Sequence, residues 1–154
     1  MSHGFRSNVW DPIMIVAQIT ALQCYFYFCL AVWLSIAGYI CEFDMTLAHV
    51  FDYHIIGRTT EGWITVAVFA VNALVGAVGL WIVISRAKQC LDFTMTLFAI
   101  HLIMCCVYGG IPHSATWWIM NVVSLVVMVS LGEYLCLRSE LAAIPVTGST
   151  SGKT

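Results

Sequence analysis

Charge is what this chain has least of. Lys, Arg, Asp and Glu together supply 9% of its 154 residues, against roughly a quarter in an ordinary water-soluble domain. A surface so poor in charge does not face water on all sides, which excludes a soluble globular protein. The net charge of −2 says nothing about partners, but the basic stripe that nucleic-acid binding needs is absent, so no nucleic acid is expected as a partner. The chain also lacks any Cys-x-x-Cys among its seven cysteines, and Cys105 and Cys106 are adjacent. That spacing suits neither a zinc site nor a dithiol redox pair. A thiol oxidoreductase would need both such a pair and shuttle cysteines. No metal or cofactor is expected, and nothing in the sequence marks an enzyme.

What is abundant is apolar: hydrophobic residues make up 61% of the chain. Four runs, at 13–40, 63–84, 93–111 and 115–136, are long enough to cross a hydrocarbon core about 30 Å thick, which takes roughly 20 helical residues. They show no alternating pattern of the kind a barrel needs, and helices alone satisfy their own backbone groups in lipid. The expected fold is an all-α membrane protein, a four-transmembrane-helix bundle at 13–136. An arm at 1–12 precedes it, a loop at 41–62 joins the first two spans, and a largely disordered tail follows at 137–154. The first run is too long for the apolar core of a signal peptide, which takes roughly 7–15 residues.

Four spans put both termini and the polar break at 85–92 on one side. That side carries Arg6, Arg86, Lys88, Arg138 and Lys153, and the other only Arg58. Positive residues in short loops stay in the cytosol, so both termini are read as cytosolic and the 41–62 loop as luminal. Cys41 is then alone on its side, so no disulfide is expected. Asp11-Pro12 has the chemistry of a helix start, a capping carboxylate followed by a proline at the first helical position. Asp92 is expected to cap the third span in the same way. The apolar content of the luminal loop predicts either a helix lying on the membrane or a loop packed over the bundle.

Few polar residues fall within the spans. Asn72, Gly76, Gly79 and Val83 follow helical spacing down one face of the second span, with Ala73 and Ala77 beside them. Small residues let membrane helices approach, so this face is read as internal packing, with a homodimer seam as the alternative. His101 lies on a face with Thr94, Leu97, Cys105 and Tyr108. A second histidine placed for haem is missing, because His49, His54 and His113 are luminal. His101 is instead expected as a neutral imidazole, bonded to Gln18, Asn121 or a backbone carbonyl in a buried polar layer with Asn72. Glu133, the one acidic residue in a span, sits near the cytosolic end, within reach of Arg6, Arg86 or Lys88. Cys90 and Cys136 lie at the cytosolic boundary, a position favoured for palmitoylation. A small transporter using His101 and Glu133 is the alternative function.

The local spellings carry more. In order along the chain stand Phe5-Arg6-Ser7, Trp10-Asp11-Pro12, Lys88-Gln89-Cys90-Leu91-Asp92-Phe93-Thr94, His101-Leu102 and Thr116-Trp117-Trp118. Gly132-Glu133-Tyr134-Leu135-Cys136, Arg138, Glu140-Leu141 and Ile144-Pro145 follow. From residue 5 to about 145 the chain resembles the Sys-one family of Golgi membrane proteins, with a divergent luminal loop. It departs from relatives that carry a second histidine three positions before His101, where this chain has Phe98. The resemblance implies a multi-pass protein of the trans-Golgi network membrane that localises an Arf-like small GTPase with an acetylated amino-terminus. That GTPase in turn supports golgin recruitment and endosome-to-Golgi transport. The cytosolic surface is small, so Arg6, Trp10, Lys88, Asp92 and Glu133 are the expected partner contacts.

Overall fold

The structure, a computed structural model, describes residues 11–143. These residues form five helices: α1 Pro12–Cys41, the one-turn α2 Ala48–Phe51, α3 Thr60–Val83, α4 Ala87–Gly109 and α5 Ala115–Ala142. There is no strand among the described residues. All but α2 are long and apolar enough to cross a membrane, so the chain is an all-helical, four-span bundle. The end carrying Arg86, Lys88 and Arg138 is called the basic end below, and the end closed by residues 42–59 the loop end.

Each helix starts or stops where the chemistry of its ends directs. Asp11 accepts from the backbone N–H groups of Ile13 (3.1 Å) and Met14 (3.4 Å), and Pro12 takes the position where a missing N–H costs nothing. Thr59 caps α3 through the Gly62 N–H at 3.0 Å. Glu42 turns α1 off in the left-handed region, at φ 54° and ψ 44°, and its N–H reaches back to the Gly38 carbonyl.

α3 is the central helix and lies against both α1 and α5, while α4 packs mainly on α5. The small-residue face makes this possible. Asn72, Ala73, Gly76, Ala77, Gly79 and Leu80 are all buried, so the face is internal, as expected from sequence. A Cβ at Gly76 would sit 3.0 Å from the Met128 sulfur of α5, and one at Gly79 would enter the Tyr25 ring of α1. α1 is the most peripheral helix. It buries Leu22, Phe26, Leu30, Leu34 and Gly38, a strict spacing of four. That row is inclined to the helix axis, as in packing of i±4 ridges.

Two boundaries differ from expectation. The second connection is only residues 84–86, because Ala87 to Phe93 already belongs to α4. Asp92 is therefore exposed within α4 and caps nothing. A carboxylate does serve that helix start, but from elsewhere: Glu140 of α5 accepts from the Ala87 N–H at 3.2 Å, satisfying one of the donors a helix leaves free at its beginning. Residues 137–142, expected in the tail, continue α5. Residues 144–154 of the tail lie outside the described residues.

The two ends of the bundle and the candidate docking surface

At the loop end, residues 42–59 pack over the bundle. His49, Val50 and Ile56 are buried, so the segment is a plug and not a helix floating on the membrane. His49 holds it from within. Its Nδ1 lies 3.0 Å from the Thr46 hydroxyl and accepts from the Thr46 N–H, and its Nε2 lies 3.4 Å from Glu61 at the start of α3. Gly62 is required here, since a Cβ would run into the Ile55 carbonyl. On the outer face of the plug, partial burial pushes the Asp52 carboxyl upward. Hydrogen bonds from the His54 backbone N–H (2.9 Å) and ring Nδ1 (2.7 Å) outweigh it, together with the attraction of the imidazole. The carboxyl is held below its ordinary pKa.

Beneath the plug lies His101, fully buried. Its Nδ1 is 3.1 Å from the Tyr27 hydroxyl and its Nε2 3.6 Å from the Cys105 sulfur. Phe26, Phe51, Phe69 and a nearly parallel Trp117 ring, inclined by 10°, close around it. The expected partners Gln18 and Asn121 do not reach it. Gln18 donates to the Val83 carbonyl and Asn121 to that of Trp117, while Asn72 donates to Phe26. Each amide thus finds a separate carbonyl, and the expected polar layer is a set of isolated bonds. Tyr27 escaped the sequence reading because it is 74 residues from His101 and a membrane tyrosine is unremarkable. Tyr108, expected on the same face, is exposed.

The basic end is built differently. α4 and α5 enclose a shallow groove lined by Ala87, Lys88, Ser130, Glu133, Tyr134 and Leu137. Lys88 and Glu133 are exposed there, and among the described residues neither makes an ion pair. Asp92 is one turn beyond Lys88, on the same face of α4. Three of the five expected contact residues are thereby placed near one another, while Arg6 and Trp10 lie outside the described residues. Glu140 was missed as a site residue, although its place in the Glu140-Leu141 spelling was a signal.

Cys90 and Cys136 are not available for acylation as placed. Both are fully buried, with their sulfurs 3.6 Å apart between α4 and α5, and acyl transfer requires an accessible thiolate. Sequence gave their positions along the helices but not the direction in which they point. His101 and Glu133 are likewise not brought together. Trp117, against His101, and Glu133 are both on α5, about 24 Å apart along its axis.

A four-helix bundle apolar on its outer faces, with one plugged and one charged end, defines a polytopic integral membrane protein. The chain belongs to the SYS1 family, described as "Integral membrane protein S linking to the trans Golgi network", whose pattern matches residues 5–146. It is 44% identical to the "Protein SYS1 homolog" of Nematostella vectensis, over 99% of this chain and 98% of that protein. A "Protein SYS1 homolog" of Dictyostelium discoideum is 34% identical over 92% of this chain and 62% of its own length. "Protein SYS1" of Saccharomyces cerevisiae is 25% identical over 91% of this chain and 70% of its own length. No solved structure matches the chain.

Proposed function

We propose that this chain is a membrane receptor of the trans-Golgi network that recruits an Arf-like small GTPase carrying an acetylated amino-terminus. Through that GTPase it supports golgin recruitment and endosome-to-Golgi transport. The observation that carries the reading is the family match, which runs from residue 5 to 146 and so takes in every residue of the basic end. Physical chemistry makes the role intelligible. A single acyl chain gives only marginal membrane binding, and an acetyl group adds almost no buried CH₂. A GTPase so modified benefits from a protein receptor at the bilayer.

The basic end is the docking surface in this reading. It is the cytosolic end by the distribution of Lys and Arg, and the groove beside Lys88, Glu133 and Tyr134 offers both charge and apolar surface. The acetylated helix docks in it, with Lys88, Asp92 and Glu133 as polar contacts and Arg6 and Trp10 contributed by the arm.

The test is a pull-down in mild detergent with an Arf-like GTPase, acetylated or not. The acetylated form is expected to be retained and the unacetylated form lost; equal retention would count against the mechanism. Lys88→Glu should reduce retention several-fold while stability stays within about 0.5 kcal/mol, as for exposed surface substitutions generally. Unchanged binding by that variant would remove the groove as the surface.

A further inference from the structure

α5 carries two glutamates on one stripe. Glu133 and Glu140 are separated by about two turns, roughly 10 Å along the axis and within about 20° of the same bearing. Both are exposed. Glu140 already has a task. Its carboxylate crosses to the neighbouring helix and accepts from the Ala87 N–H at 3.2 Å. Arg86, at the N-cap of α4, makes no side-chain cap of its own, so α4 takes its cap from α5.

Glu133 offers the same chemistry to the groove beside that contact. Lys88 lines the groove with it, yet Glu133 makes no ion pair among the described residues. It also lies one turn inside the end of the apolar run 115–136. A carboxylate at that depth is costly unless it is paired or hydrogen-bonded. Around it the groove is largely apolar, with Ala87, Leu137 and the Tyr134 ring as lining.

An occupant that suits this groove brings apolar surface together with donors, or positive potential, at one end. The first turn of an amphipathic helix has both. Its first N–H groups find no partner within the helix, and together they amount to about half a positive charge. The start of α4 shows that a glutamate on this stripe of α5 meets such a turn across a helix interface.

We propose that Glu133 caps the acetylated amino-terminal helix of the docking partner, as Glu140 caps α4. This rests on the basic end being the docking surface, and it names what the partner brings there: the N–H donors of its first turn. Acetylation fits the same chemistry. A free ammonium opposes the positive end of the helix dipole, whereas an acetyl group removes that charge and leaves an amide N–H in its place.

The test uses the full chain in mild detergent and a synthetic acetylated peptide of the GTPase's amino-terminal segment, with affinity read by fluorescence anisotropy. N-methylation of the second and third peptide residues removes two donors that no intrahelical bond needs. It should weaken binding to the wild-type chain about tenfold, the scale of a hydrogen bond to a charged group. With Glu133→Ala, which lacks the acceptor, the same methylation should cost no more than about twofold. Glu133→Gln keeps the shape and a neutral acceptor, and its penalty should fall between. A methylation penalty of equal size in wild type and Glu133→Ala would overturn the proposal. So would a peptide whose basic side chains, replaced by norleucine, account for the whole effect of Glu133→Ala. Undiminished affinity in Glu133→Ala would also overturn it, while acetyl-dependent binding to the wild type would leave the docking surface standing. Failure of the acetylated peptide to bind the wild-type chain at all would instead remove that surface, and the cap with it.

Discussion

The loop end and the basic end of this bundle solve opposite problems. At the loop end the two buried histidines and the plug's Asp52 are tied down: His49 by Thr46 and Glu61, His101 by Tyr27 and Cys105, Asp52 by His54. Aromatic rings fill what is left. At the basic end Lys88, Asp92 and Glu133 stand exposed beside a shallow groove, and only the backbone is secured, through Glu140 at the start of α4. The contrast separates structural polarity from available polarity. A polar residue in a membrane protein suggests function when its bonds are unmade and it faces a partner, not merely because it is polar.

Substitutions can test how far the contrast reaches. The largest loss is expected for Gly62→Val, which drives a branched side chain into the Ile55 carbonyl and dislodges the plug. The clash is with backbone and cannot be relieved by a rotamer change, so the cost should be about 3 kcal/mol, read as thermal unfolding in detergent. Glu140→Ala should cost about 1 kcal/mol, the usual value of a lost helix cap. Its hydrogen-exchange signature should be confined to the first turn of α4. Tyr27→Phe removes the His101 partner and should cost about 0.6 kcal/mol, a typical value for a hydrogen bond between membrane helices. An equal loss in Lys88→Glu would abolish the distinction between the two ends.

The smallest effect concerns pH. Asp52 has a folded pKa below its unfolded value. The stability it contributes is therefore present above the ordinary carboxylate range, near 4, and is lost as pH falls through the lower folded value. Titration from pH 5 to pH 3 should loosen residues 52–54, visible as faster proteolysis of the loop. Asp52→Asn should remove that pH dependence and leave the basic end unaffected.

Much of this architecture was legible in the residues. Asp11-Pro12 announced the first helix, and the spacing of Asn72, Gly76 and Gly79 announced the face that packs inward. Hydropathy failed at two helix ends for one reason: it reports preference for lipid and not helix formation. Lys88, Gln89 and Leu91, like Leu137, Arg138 and Glu140, are good helix formers that extend α4 and α5 past the apolar runs. The His101–Tyr27 bond and the Cys90–Cys136 contact depended on how distant helices rotate against one another. A single sequence gives depth along a helix more readily than direction around it. In the candidate docking surface, Lys88 and Glu133 were foreseen individually, whereas their common groove required the pairing of α4 with α5.

The length of α5 has one more consequence. Its 28 residues span about 42 Å, more than a hydrocarbon core of about 30 Å requires. Pinned to α4 through Glu140, its final turns act as a mast that holds the carboxy-terminal tail at a set height and bearing. Removing four residues from the mast would lower that exit by about 6 Å and turn it by only about 40°. Removing two would lower it by half as much and swing it to the opposite side. Anything that grips the tail would respond to bearing more than to height.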